Sequence, residues 1–332
     1  MYEHPALIRE TREALAWVDQ VKAAYRGSKI FGKITSGVIW CDETGSDGKQ
    51  LVPIDDPRAL ASDINTSGFP LLKGHDPGFP IGKVLRAEVF ASPDGVTFIA
   101  AIFGFYAGGE RLSFREFGFD PSATVSLPTT LPMLPDGCRI DFAVDPREVK
   151  SAWVEDVLST APLRVERIDL SHNVAEWMQE LIRVGLPYIV LVWNPFVRAI
   201  ATEAGKDAYA ALHQWLRTVF DKLAEHRNPI VEIQAYQNDC LVSFIFRGKD
   251  VKRLYAAHDA LPIAAAQAAQ LIANMKRTAN APTLILYEFQ PQDDKWFPSY
   301  AELNDGTFIT DNNALIAIEQ LPSNLSLGMH GR

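Results

Sequence analysis

Fifteen of the chain's 21 glycines fall within the first 150 of its 332 residues. Glycine at that density breaks long helices and marks turns, so the first half must be built from short strands. The second half instead alternates helical and strand patterns, and this shift predicts two domains. A chain of 332 residues favours the same division. The boundaries read as 1–146, an N-terminal helix followed by a β-rich domain, then 147–186, a helical connector, then 187–332, an α+β domain.

Residues 5–25 read as one amphipathic helix, with Leu7, Ile8, Leu15, Val18, Val21 and Tyr25 at helical spacing and Gly27 placed to stop it. KIFGKITSGVIW, LVPI, IGKVLRAEVF, VTFIAAIFGFY and CRIDFAV then read as strands, the third and fourth joined by a tight turn at Ser92-Pro93-Asp94-Gly95. Glu110 to Phe117 suggests a short helix ended by Gly118, and Ala123 to Leu127 an extended segment. The set predicts a small closed or half-closed barrel.

PREVKSAWVEDVL and HNVAEWMQELIRVG read as connecting helices, and the apolar run YIVLVW opens the second domain. Helices over about 202–226 and 250–278 alternate with the strands PIVEIQAY, CLVSFIF and TLILYEF, with a hairpin turn at Asn238-Asp239. The order β-α-β-β-α-β matches a ferredoxin-like split βαβ layout. The fold class is therefore α+β, a β-barrel-like domain followed by a ferredoxin-like one. Trp296 and Tyr300 read as exposed in a long loop or hairpin, and the tail SNLSLGMHGR as frayed.

A formal charge of −9 and a pI near 5.3 count against nucleic acid and anionic membranes as partners. No apolar run is long enough for a transmembrane helix, and the N-terminal segment has no secretory h-region. Cys41, Cys138 and Cys240 are far apart and odd in number, which predicts no disulfide framework or zinc site and a reducing compartment. No two of the seven histidines stand at a metal-ligand spacing, and no glycine-rich phosphate loop occurs, so neither metal nor cofactor is expected. His226 suits a helix C-terminus, and His213 and His258 read as surface or half-buried helix residues. His75 differs, because it precedes a strong strand amid Gly and Pro, where a turn can hold an imidazole rigidly beside a cleft.

Gly74-His75-Asp76 followed by Pro80-Ile81-Gly82-Lys83-Val84 resembles the histidine signature of bacteriophage prohead (capsid-maturation) serine proteases. The approach through FGKITSGVIW, LVP and GFPLLKGHD resembles that family's opening strands, and the likeness covers about residues 28–146. It implies a serine endopeptidase with an assemblin-like barrel, in which Ser126 of Ala123-Thr124-Val125-Ser126-Leu127 is the nucleophile and His75 the general base. A third polar group must hold the imidazole, and Asp141 in CRIDFAV is the candidate, ahead of Asp94 and Glu110. The implied partner is a protein substrate of capsid or scaffold type, or a defence-associated one. The implied setting is virion assembly in the cytoplasm of a bacterium or infected host cell, with a homo-oligomer expected.

The family usually carries a glycine soon after the nucleophile, whereas Leu127 and Pro128 follow here. Pro128 has no N–H to offer an oxyanion, and Gly108-Gly109 is the substitute source of donors. A catalytically inactive assembly or adaptor protein on the same fold is therefore the alternative reading. Ser113 and Cys138 are the competing nucleophiles, each less well placed.

Overall fold

The computed structural model describes residues 5–43, 54, 56–74, 76–109, 112–120, 125, 137–170, 180–188, 203–278, 281–312, 315 and 325–327. The chain forms two compact units. One comprises Met1–Glu110, His172–Glu176 and Asn313–Arg332, and the other Arg111–Ser171 and Trp177–Asn312.

In the first unit β1 (Lys33–Cys41), β4 (Thr97–Phe105), β3 (Pro80–Ala91), β2 (Pro70–Lys73) and β13 (Leu325–Leu327) form a five-stranded sheet in that order. Every neighbouring pair is antiparallel. β4 alternates between two cores. Phe98, Ala100 and Ile102 pack with Ile8 of α1 (Pro5–Glu10) and with Ala14 and Val18 of α2 (Arg12–Ala24). Ile99, Ala101, Phe103 and Phe105 pack with Ala61 and Ile64 of α3 (Pro57–Ser67). A strand covered on both faces needs an unbroken apolar run, which FIAAIFGF supplies.

The expected barrel is thus an open sheet. Among the described residues β1 and β13 are its two edges, and helices rather than strand closure cover its faces. The expected single N-terminal helix is two. Thr11 adopts an extended backbone (φ −99, ψ 105), yet its N–H closes the turn from Leu7 and its C=O opens the next to Leu15. The tail does not fray at Leu325–Leu327, which pairs with Leu71–Lys73 of β2.

The second unit is built on one mixed eight-stranded sheet. Its order is β12 (Phe308–Ile309), β11 (Lys295–Leu303), β10 (Pro282–Gln290), β9 (Cys240–Arg247), β8 (Pro229–Gln237), β7 (Glu180–Leu186), β5 (Arg139–Val144) and β6 (Arg164–Asp169). The helices α4 (Ser151–Leu158), α5 (Glu203–Lys222) and α6 (Val251–Thr278) share one core on one face. Trp153 Nε1–H donates to Lys222 O at 3.2 Å and Trp215 Nε1–H to Val157 O at 3.0 Å, which ties α4 to α5. Trp215, Phe220, Phe244 and Phe246 fill this core, while Tyr236 is exposed.

A β-α-β-β-α-β order is present as β7-α5-β8-β9-α6-β10, opened by β7 instead of the expected YIVLVW strand, and its lateral arrangement is not a split one. β7 and β8 are direct parallel neighbours, and so are β9 and β10. A split βαβ would place another strand between each parallel pair. The segment ELIRVGL, expected as the end of a helix, is β7, and its Leu181, Ile182, Val184 and Leu186 are all buried. Apolar spacing in so short a run fits either structure, and burial on both faces decides for strand. The YIVLVW strand expected after it lies outside the described residues beyond Tyr188. CRIDFAV, grouped by sequence with the N-terminal strands, is β5 and pairs with β6 and β7. Trp296 and Tyr300, expected to be exposed, are buried on β11 at 3% each.

β5 and β9 run in the same direction, since each is antiparallel to one of the parallel strands β7 and β8. β5 crosses through α4 to β6 on one side, and β9 crosses through α6 to β10 on the other. With both helices on one face, the two crossovers are mirror images. One of them is therefore left-handed, against a preference of about 98% for the right hand.

Candidate functional site

The turn after β2 is organised by a buried carboxylate. Asp76 is 2% exposed, and its Oδ1 accepts the Gly78 N–H at 2.9 Å. Backbone bonds brace the loop, with Lys73 N–H donating to Phe79 O at 3.0 Å and Phe79 N–H to Asp76 O at 2.9 Å. Gly74 opens the turn at φ 61, in the left-handed region that favours glycine. Gly74, Asp76, Pro77 and Gly78 are all buried. Downstream, Gly82 on β3 faces β4 so closely that a Cβ would stand 2.1 Å from the Gly104 carbonyl oxygen. The glycine of Pro80-Ile81-Gly82 is thus demanded by strand packing.

His75 and Ser126 both lie outside the described residues, as does Glu110. Asp141 is described, and it belongs to β5 of the second unit, not to the sheet that carries β2. Its Oδ1 is 3.2 Å from Arg139 Nε, and Arg139 Nη1 is 2.6 Å from Glu166 Oε2. Burial pushes the Asp141 carboxyl above its ordinary range, partly offset by Arg139. Gly185 on β7 makes room for it, since a Cβ there would lie 3.0 Å from Asp141 Cβ.

The secondary candidates are committed to local roles. Asp94 sits in the β3–β4 turn, which Gly95 closes at φ 86. Ser113 caps the 3-10 turn Phe114–Phe117, its Oγ accepting the Arg115 N–H at 3.3 Å. Burial raises the Cys138 thiol pKa, which disfavours the thiolate a nucleophile needs. The Gly109 N–H donates to Tyr106 O at 3.4 Å.

The second unit holds polar groups that sequence reading passed over. Glu232 on β8, 1% exposed, accepts from Arg183 Nε at 2.8 Å, Gln234 Nε2 at 2.9 Å and Ser243 Oγ at 2.7 Å. All four side chains are buried in adjacent strands β7, β8 and β9. The signal was present, as a glutamate two residues before a glutamine in an apolar strand that faces a strand with an internal serine. His213 and His258 also correct the surface assignment, being 4% and 0% exposed and hydrogen-bonded to each other. His226 follows the 3-10 turn after α5, pairs with Glu180, and lies edge-on to Trp153 at 4.6 Å. Nearby, burial and the Asp145 charge raise the Glu148 carboxyl to about 7.

A cavity of about 160 Å³ opens at the carboxyl ends of β9 and β10, lined by Arg247, Arg253, Leu254, Glu288 and Phe289 among others. Arg247 is already ion-paired with Glu288. Among the described residues no group of three or more His, Cys, Asp or Glu side chains is placed to hold a metal ion. Nor is any described helix long and apolar enough to cross a membrane.

Set beside known proteins, the chain matches no family model, no curated protein and no solved structure.

Proposed function

We propose that the chain is a serine endopeptidase of the prohead-maturation type, with His75 as general base and Ser126 as nucleophile. The observation that carries this reading is the turn after β2. A buried Asp76 carboxylate and paired backbone groups fix the chain on either side of residue 75. An imidazole that must accept a serine proton needs such a rigid mount, because a misplaced base loses most of its rate advantage. Asp141, the third member of the expected set, lies on β5 beside Arg139, its ion-pair partner. The peptidase's substrate would be an extended segment of a capsid-like, scaffold-like or defence-associated protein.

The second reading is an inactive assembly or adaptor protein. It is favoured by the Gly109 amide, which is bonded to Tyr106 O where an oxyanion donor was expected, and by Pro128. A fluorophosphonate probe separates the two. The peptidase reading expects labelling of the wild type and none of Ser126→Ala or His75→Ala. A folded wild type that stays unlabelled refutes it and leaves the adaptor.

A further inference from the structure

We propose that His213 and His258 form an acid-sensitive latch between α5 and α6. His213 Nδ1 and His258 Nε2 are 2.9 Å apart, and both rings are buried. A contact this short requires hydrogen on one nitrogen and a lone pair on the other. The neighbouring carboxylate decides which. Asp259 Oδ1 is 3.8 Å from His258 Nδ1, so its charge favours hydrogen on Nδ1 and leaves Nε2 as the acceptor. His213 Nδ1–H is then the donor.

The junction's other charged and titratable groups come from both helices. Arg217 on α5 holds Asp259 at 2.5 Å and lies 4.6 Å over the Tyr255 ring of α6. Tyr255 OH donates to Asp221 of α5 at 2.7 Å. The Phe220 ring closes the apolar side at 5.7 Å from His258. Asp259 favours proton uptake at His258 and Arg217 opposes it, while burial outweighs both and holds the imidazole below its ordinary range.

Proton counting gives the latch its direction. The pair can accept one proton and keep its bond, as an imidazolium donating to an imidazole. A second proton puts N–H on both facing nitrogens and sets two cations against each other in the core. In the unfolded chain both rings take protons with an ordinary pKa of about 6.5. Below that pH the unfolded state binds more protons than the folded one. The stability this pair contributes is therefore present above about pH 6.5 and is lost as pH falls toward the depressed folded value. Each proton withheld raises the unfolding constant about tenfold per pH unit.

The test is urea denaturation of the full chain at pH 8, 6 and 5, for the wild type and for His258→Gln. Contributions of other groups, Glu148 included, are common to both proteins and cancel. The expected result is that the wild type loses about tenfold more of its folded-to-unfolded ratio between pH 6 and 5 than the variant does. Equal losses overturn the latch. Should the variant not fold, ring ¹⁵N spectra of the wild type decide. A His258 that stays neutral in its Nδ1–H form at pH 6 supports the latch. Both rings titrating near 6.5 in the folded protein rule it out.

Discussion

At the scale of single residues, the firmest constraints are positions where an atom has no room or a charge has no water. Gly82 is one. Its missing side chain lets β3 lie against the Gly104 carbonyl, so Gly82→Ala drives a methyl into backbone that cannot swing aside. A loss of about 2–3 kcal/mol is expected, measured as a shift in the urea midpoint with an unchanged slope. Glu232 is another. Its carboxylate satisfies three buried donors, one of them a guanidinium. Glu232→Ala takes that carboxylate away from the buried Arg183 guanidinium, Gln234 and Ser243 together, and should cost about 3–5 kcal/mol. Exchanging both Arg183 and Glu232 for apolar residues of similar volume should recover most of that loss in the same denaturation assay. Sequence reading saw Gly82 as part of a motif without its steric reason. It passed over Glu232 because periodicity does not report which strands a polar residue will lie between.

At the scale of elements, local chemistry was legible wherever one segment decides its own shape. The hairpin at Asn238-Asp239 joins β8 to β9 with φ of 49 and 62, as a two-residue turn requires. Asn238→Val should destabilise the unit by about 1–2 kcal/mol, because a β-branched side chain resists the left-handed region, while Asn238→Gly should be close to neutral. Thermal melts of the two variants check this. The helix expected over about 250–278 is found at Val251–Thr278, since its length and alanine content leave no competing structure. ELIRVGL was misread because seven residues with mixed spacing fit a helix as well as a strand, and only the sheet around them decides. The exposed reading of Trp296 and Tyr300 failed for a related reason. Both sit on β11, whose Lys295–Leu303 pairs with β10 within the segment read as a long loop or hairpin, so the hairpin alternative holds and the exposure does not.

At the scale of the whole molecule, the two sheets are what the sequence could not order. Glycine density foretold a strand-rich first half, and the first unit is indeed a sheet. Whether that sheet closes depends on its edges and on what covers its faces, which no local pattern states. The alternation of strands and helices in the second half was equally plain, but chain order does not fix lateral order. The candidate site was legible only as a motif. The structure adds the carboxylate-braced turn beside residue 75 and moves Asp141 to a different sheet. The opposed crossovers of the second unit carry a lesson about symmetry. Two βαβ modules of opposite chirality cannot be superposed by any rotation, just as a left glove cannot be turned into a right one. β5-α4-β6 and β9-α6-β10 are therefore not shape-preserving copies of one βαβ block.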